Sequence, residues 1–193
     1  HPQKPELGKR MVPLTRELWI EREDFMETPP KGYFRLRPDG EVRLRYGFII
    51  KCTGFDKDEN GEVTCVYAEV DFDTKSGTPG SESRKVKGNI HWLSAAHAVE
   101  SEVRLYDRLF SVPAPGARRE GDAEDLERDF LDDINPNSKT AIRVMLESSL
   151  ASAAPESIFQ FERHGYFVAD IKDHSAEHPV YNRTVTLRDA WSK

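Results

Sequence analysis

The stretch GYFRLRPDGEVRLRYGFIIKCTGFDKDENGEVTCVYAEV (Gly32–Val70) decides the fold class, because apolar and polar residues alternate through much of it. A period of two places alternate side chains on opposite faces of a β-strand. Residues 32–37 and 41–46 are therefore predicted to pair as a hairpin around a Pro38-Asp39-Gly40 turn. On the second of these strands Val42, Leu44 and Tyr46 are expected to share the buried face.

The strand pattern continues on both sides of this hairpin. Residues 48–55 and 62–70 predict a second hairpin around an Asn60-Gly61 turn, the dipeptide most typical of tight hairpins. Five further segments have strand character, at residues 89–93, 102–106, 158–162, 166–171 and 184–187. Many short strands separated by turn residues are typical of an all-β barrel or sandwich.

Little helix is expected. Residues 124–134 carry apolar side chains at helical spacing among acidic residues, and Pro136 would end that helix. Residues 141–150 fit either a helix or a strand.

Composition allows one large or two small domains, since the chain has 193 residues, of which 37% are hydrophobic and 32% are charged. The net charge of −6 is unusual for a non-specific nucleic-acid binder. The charges are unevenly distributed, however. Acidic residues are concentrated in 120–133 and basic residues in 31–51 and 84–87, which leaves room for a basic face on an acidic body. No apolar run reaches the length of a membrane span, and no signal peptide is recognisable.

Four residues stand out as candidate contacts with an anionic or polar ligand. Arg43 and Arg45 are two positions apart, so in a strand their side chains would lie roughly 7 Å from each other on one face. Guanidinium groups fork onto phosphates and base edges. Gln160 offers an amide donor and acceptor, and Arg163 adds a charged donor. From spacing alone, ordinary solvated strand faces explain both pairs better.

No constellation for metal binding or nucleophilic catalysis emerges. Residues 56–67 begin like a calcium loop, but Tyr67 stands where that loop requires Glu. We therefore expect neither a metal site nor catalytic residues in this chain.

The segment KVKGNIHWLSAAHAVESEVRLYDRLFSVP (Lys85–Pro113) resembles the C-terminal anticodon-binding region of glutaminyl-tRNA synthetases. Four other segments resemble the same region in the same order: Pro5–Phe25, Gly40–Lys51, Phe159–Phe167 and Val180–Trp191. The resemblance covers nearly the whole chain. It implies a region that reads RNA in an ATP-dependent ligase of glutamine to tRNA, and performs no chemistry itself.

The resemblance also implies an architecture. It predicts two small antiparallel β-barrels packed side by side, of a type related to a ribosomal protein. Residues 1–26 with 111–193 would form the proximal barrel, and residues 27–110 the distal one. The catalytic domain would be absent from this chain, and with it the sites for ATP and Mg²⁺, so that no cofactor is expected here. The chain opens in a loop without Met, as an excised fragment would. The intact enzyme is expected to be a cytoplasmic monomer.

Site residues follow from the resemblance, position by position. Arg43 and Arg45 match residues at the first anticodon base. Gln160 and Arg163 match residues at the central uridine, whose pocket in the family includes an upstream arginine. Lys31 and Arg35 match residues at the third base, although Phe34 stands where the family has a basic residue. Gln3 matches an amide side chain near the anticodon.

Two alternatives stay open. The related region of a eukaryotic- or archaeal-type glutamyl-tRNA synthetase would have similar barrels, and Gln160 with Arg163 favours the glutamine enzyme. A stand-alone β-barrel module that binds RNA or a protein is the other alternative.

Overall fold

The computed structural model describes residues 5–81, 83–122 and 128–187, and its regular structure there consists of β-strands and 3-10 turns of three or four residues. The strands in these ranges are β1 (Leu18–Trp19), β2 (Glu41–Leu44), β3 (Ile49–Lys57), β4 (Val63–Asp71), β5 (Asn89–Ile90), β6 (Leu93–Ser94), β7 (Val99–Tyr106), β8 (Lys139–Leu146), β9 (Ile158–Phe161), β10 (Gly165–Ala169) and β11 (Val180–Val185). The prediction of an all-β fold with little helix is confirmed.

The chain divides into two compact units, His1–His97 and Ala98–Lys193. This division is continuous, whereas the expected one joined residues 1–26 to 111–193. The assignment of residues 1–26 and 111–193 to one barrel stays a prediction. Two strand pairings lie within the observed units. β1 pairs with β6 inside the first unit, and β7 lies between β8 and β11 in the sheet of the second unit. Neither larger sheet returns to its first strand among the described residues, so closure into barrels stays a prediction.

The first unit is built on a four-stranded sheet of order β4-β3-β2-β5. β2 is antiparallel to β3 and parallel to β5. Its core consists of buried side chains from the sheet and from the segments before and after it, namely Phe25, Leu36, Val42, Leu44, Ile50, Cys52, Ile90 and Trp92.

The predicted second hairpin is confirmed as β3 and β4, which pair antiparallel along their length. Gly61 has φ +83°, the left-handed conformation that suits glycine in such a turn. The Asp58 carboxylate accepts hydrogen bonds from the backbone N–H groups of Glu62 and Asn60 at 2.8 and 2.9 Å, which lower its pKa. The segment that begins like a calcium loop is therefore a capped hairpin turn.

The predicted first hairpin is wrong. The Gly40 N–H donates to Arg37 O, which closes a turn, but residues 32–37 do not pair with β2. Leu36 instead bridges to Phe25, and its N–H donates to Asp24 O at 2.9 Å. Leu36 is almost fully buried in the core beside Phe25, and this packing draws its segment toward the N-terminal part of the unit.

The second unit contains a five-stranded mixed sheet of order β8-β7-β11-β10-β9. β7 and β11 are parallel, and the other neighbours are antiparallel. Its core is Val103, Phe167, Ala169 and Tyr181, flanked by half-buried Phe159 and Phe161.

The predicted helix at 124–134 is not found in its described part. Residues 124–127 lie outside the described residues, Phe130–Asp133 form one 3-10 turn, and Ile134 is extended. Phe130 and Leu131 are more than half exposed, so no apolar stripe is buried to stabilise a longer helix. Residues 141–150 fall mainly in β8 and end in a 3-10 turn at Ser148–Leu150.

Candidate nucleic-acid interface

The two arginines near β2 occupy different local structures. Val42 and Leu44 are fully buried and Arg43 is on the opposite face, as the alternation predicted. β2 ends at Leu44, however, and Arg45 begins a turn closed by a hydrogen bond from Gly47 N–H to Leu44 O at 2.7 Å. The two side chains therefore do not form a regular pair along one strand.

Arg43 is bound to its own unit. Its Nη1 donates to Thr74 O at 2.5 Å and to Gly47 O at 3.2 Å, and its Nη2 donates to Ser81 O at 3.2 Å. These acceptors are uncharged carbonyl groups, so they do not offset the positive charge of the guanidinium. The same contacts hold the 74–81 loop beside β2. Such an arginine can attract phosphate, but few of its donors are left for reading a base.

Arg45 presents its charge beside an aromatic ring. Its guanidinium carbon lies 5.1 Å from the ring centroid of Tyr46, a cation–π arrangement. Its backbone is fixed by Trp92, whose Nε1 donates to Arg45 O at 3.0 Å. Tyr46 was expected on the buried face, but it is 69% exposed because the chain turns before it. Gly47, directly after Tyr46, is the sequence signal for that turn.

Arg35 both supports the core and reaches the surface. Its Nε lies 3.2 Å from Asp24 Oδ1, and its Nη1 donates to Asn89 O at 2.9 Å. Asp24 is fully buried, and about a third of the Arg35 side chain is exposed. Lys31, by contrast, is exposed, and its ammonium has no hydrogen bond or ion pair with the described residues.

A lysine from elsewhere in the unit stands beside Phe34. Phe34 is 53% exposed, and Lys87 Nζ lies 5.3 Å from its ring centroid. Gly88 permits this approach, since a Cβ at that position would lie 2.6 Å from Phe34 O. Lys87 thus supplies positive charge next to the position at which the sequence lacks a basic residue.

The predicted residues of the second unit lie on β9 and in the turn after it. Phe159 and Phe161 pack inward against Tyr181, while Gln160 is exposed opposite Tyr166 of β10. The predicted alternation of FQF is therefore confirmed. Gln160 makes no side-chain hydrogen bond with any described residue.

Arg163 is exposed in the β9–β10 turn, where the His164 N–H donates to Phe161 O at 3.0 Å. Its φ of +72° is left-handed, a conformation that is uncommon for residues other than glycine. Gly165 must be glycine, because a Cβ there would lie 2.4 Å from Val185 O. Gln3 lies outside the described residues.

Two carboxylates of the acidic segment in the second unit are paired with arginines. Asp133 accepts a hydrogen bond from the Gly116 N–H at 2.9 Å and pairs with Arg119, and both contacts lower its pKa. Asp122 accepts from the Arg119 N–H and pairs with Arg128, so its pKa is lowered as well.

These features define a β-sheet module that displays cationic and aromatic side chains on the turns and edges of two units. Two family models match the chain, at residues 1–71 and 89–170, and both are described as the anticodon-binding domain of class I tRNA synthetases (E and Q). The chain belongs to this family. The resemblance found in its sequence is thereby confirmed.

Curated relatives match over the whole chain and share one name. The glutamine–tRNA ligase of Ralstonia pickettii is 63% identical over 193 residues, which are 100% of this chain and 32% of that protein. The glutamine–tRNA ligases of Cupriavidus taiwanensis and Nitrosomonas europaea are 61% and 56% identical over 100% of this chain and 32% and 33% of their own lengths. The chain thus spans about a third of the length of the curated relatives that it matches.

None of the helices in its described residues could cross a membrane.

Proposed function

We propose that this chain is the anticodon-binding part of a glutamine–tRNA ligase and that it binds the anticodon loop of the glutamine tRNA. The observation that carries this proposal is the match of the entire chain to proteins of that name. The family description covers both the glutamate and the glutamine enzymes, and the names of the relatives favour the glutamine enzyme.

The geometry of the first unit supports recognition of unstacked bases. Arg45 beside Tyr46 is suited to the first anticodon base, and Lys31 with Arg35 to the third. Single-stranded loops are read in this way because their bases can be splayed out and their Watson–Crick edges reached. Arg43 contributes charge and holds the 74–81 loop in place.

The second unit offers Gln160 for the central uridine. Its amide is solvent-exposed and has a donor and an acceptor to offer to the edge of a uracil. Arg163 at the neighbouring turn adds positive charge. Gln3 is proposed as a further amide near the anticodon.

The rest of the enzyme would carry the chemistry. We propose that ATP, Mg²⁺ and glutamine bind in a catalytic domain outside this chain, and that the intact protein is a cytoplasmic monomer. Assay of the full-length protein for glutamine-dependent charging of tRNA would test the enzymatic part of the proposal. Charging with glutamate instead would overturn it.

Binding by this chain is tested by titration with the anticodon stem-loop of the glutamine tRNA. Matched hairpins carry a replaced central uridine or the UUC anticodon of a glutamate tRNA. We expect preference for the glutamine hairpin and affinity that falls steeply with added salt. The Gln160→Ala variant should lose discrimination at the central base. The Gln160→Glu variant replaces the amide donor with a carboxylate that only accepts hydrogen bonds, so it should bind the glutamine hairpin more weakly still. Preference for the UUC hairpin would favour a glutamyl-type enzyme, and equal binding to all hairpins would contradict anticodon reading by this chain.

A further inference from the structure

Tyr46 occupies a turn position that its side chain does not favour. The Leu44–Gly47 turn is closed by a 2.7 Å hydrogen bond, and Tyr46 is its third residue, with φ +58°. A left-handed third residue in a turn is normally Gly or Asn, because larger side chains crowd the backbone there. On backbone grounds alone, Asn would fit this position better than Tyr.

The backbone does not distinguish Tyr46 by itself. Asp39, Glu156 and Arg163 are also left-handed third residues of turns. Tyr46 differs from them in carrying an aromatic ring that is 69% exposed. A ring that is so exposed contributes little to the core, so packing does not explain why a tyrosine stands at this position.

One side of the Tyr46 ring has a cation beside it. The Arg45 guanidinium carbon lies 5.1 Å from the ring centroid, and Arg45 Nη2 lies 3.4 Å from the tyrosine hydroxyl. A flat ring with an adjacent guanidinium is the combination that single-strand binding proteins use to hold a base, since every base has a π face and a nearby phosphate.

We propose that Tyr46 is a stacking platform for the first anticodon base, with Arg45 fixing the orientation of its ring. This inference rests on the proposed function. It assigns a contact to a residue that the sequence pattern had placed in the core. Stacking tolerates both cytosine and uracil, so the platform would serve either first base of the two glutamine anticodons.

A double-mutant cycle between protein and RNA tests this contact. The 193-residue chain, Tyr46→Asn and Tyr46→Phe are each titrated with the glutamine anticodon stem-loop and with the same hairpin lacking only its first anticodon base. Tyr46→Asn suits the turn, so the fold should be retained or stabilised, as urea unfolding would report. Tyr67→Asn, at a second exposed tyrosine of the same unit, is the matched control.

We expect Tyr46→Asn to bind the intact hairpin about tenfold more weakly. It should bind the abasic hairpin as well as the unaltered chain does, because the lost contact needs the base. Tyr46→Phe and Tyr67→Asn should bind both hairpins normally. Two outcomes would overturn the stacking role alone, provided that the unaltered chain still prefers the glutamine hairpin to hairpins with other anticodons. One is that Tyr46→Asn weakens binding of the intact and the abasic hairpin equally. The other is that Tyr46→Asn does not weaken binding at all. Failure of the unaltered chain to prefer that hairpin would overturn the proposed function and this inference together.

Discussion

The guanidinium of Arg35 lies against the fully buried carboxylate of Asp24, with Nε 3.2 Å from Oδ1. The same two segments are joined by the Leu36 N–H, which donates to Asp24 O, and by the bridge between Phe25 and Leu36. A residue proposed to meet the third anticodon base thus also completes an internal ion pair. Its substitution must affect both stability and binding.

Arg35→Ala should lower the free energy of unfolding by about 2 kcal/mol, because it leaves the charge of Asp24 buried without this cation. Urea unfolding of the chain would measure the loss. Lys31→Ala is the matched control, since Lys31 is exposed and outside such a pair. It should leave stability unchanged and weaken RNA binding. Equal stability of the two variants would contradict the supporting role of Arg35.

Arg43→Ala and Arg45→Ala should have different effects, the first on the stability of a loop and the second on RNA binding. Loss of Arg43 removes the hydrogen bonds to Thr74 O and Ser81 O, so the 74–81 loop should exchange its amide hydrogens faster. Loss of Arg45 should weaken binding of the anticodon hairpin by about 1–3 kcal/mol and relax selectivity at the first base.

Hydrogen exchange of the free chain and hairpin titrations together separate the two arginines. Arg43→Lys retains the charge but not the forked donors, so it should recover the electrostatic part of RNA affinity without restoring protection of the loop. An Arg43→Ala variant with a normally protected loop and relaxed selectivity at the first base would instead make Arg43 a base-reading residue.

Local patterns predicted the parts of this fold that depend on neighbouring residues. The β3–β4 hairpin follows from alternation around Asn60-Gly61, and the inward packing of Phe159 and Phe161 follows from period two. The predicted pairing of residues 32–37 with β2 was wrong because Leu36 is buried against Phe25, eleven positions earlier in the chain. Alternation of apolar and polar residues carries no information about such distant partners.

The candidate site was harder to predict for the same reason. Two acceptors of Arg43, Thr74 O and Ser81 O, lie after β4 and more than 30 residues along the chain. Lys87 reaches Phe34 from a segment that only the tertiary fold brings near. The sequence could identify which residue types were available, but the partner of each charged side chain depended on segments that the tertiary fold brings together.

Lys87 should act as a phosphate contact supported by Phe34. Lys87→Gln should weaken hairpin binding similarly for all anticodons. It should also reduce the slope of log affinity against log salt by about 0.7, the value expected for one contact with a single strand. Phe34→Lys would restore a basic residue to that position, and in the Lys87→Gln background it should recover the slope. A change of anticodon preference in Lys87→Gln, with the slope unaltered, would contradict a phosphate contact.

Acid sensitivity should originate partly in the second unit, where Asp170 joins two elements. Its carboxylate accepts from the Asn182 amide at 2.6 Å and from the backbone N–H groups of Asp173 and Lys172, and it lies 3.2 Å from Arg104 Nη1. These contacts favour the charged form and lower the pKa of Asp170 from 3.8 to about 2. Arg104 is mostly buried, and its pKa is raised by Glu102 and Asp173.

Because the pKa of Asp170 is lower in the folded state than in the unfolded state, protonation favours unfolding. The contribution of this carboxylate, about 2 kcal/mol, should be present in full above about pH 5 and be lost progressively between about pH 4 and pH 2. Urea unfolding at a series of pH values would measure it. Asp170→Asn should be less stable at pH 7 and should lose less stability on acidification, so that its curve approaches that of the unaltered chain near pH 2. Curves that run parallel across this range would mean that Asp170 is not the group whose protonation weakens the fold.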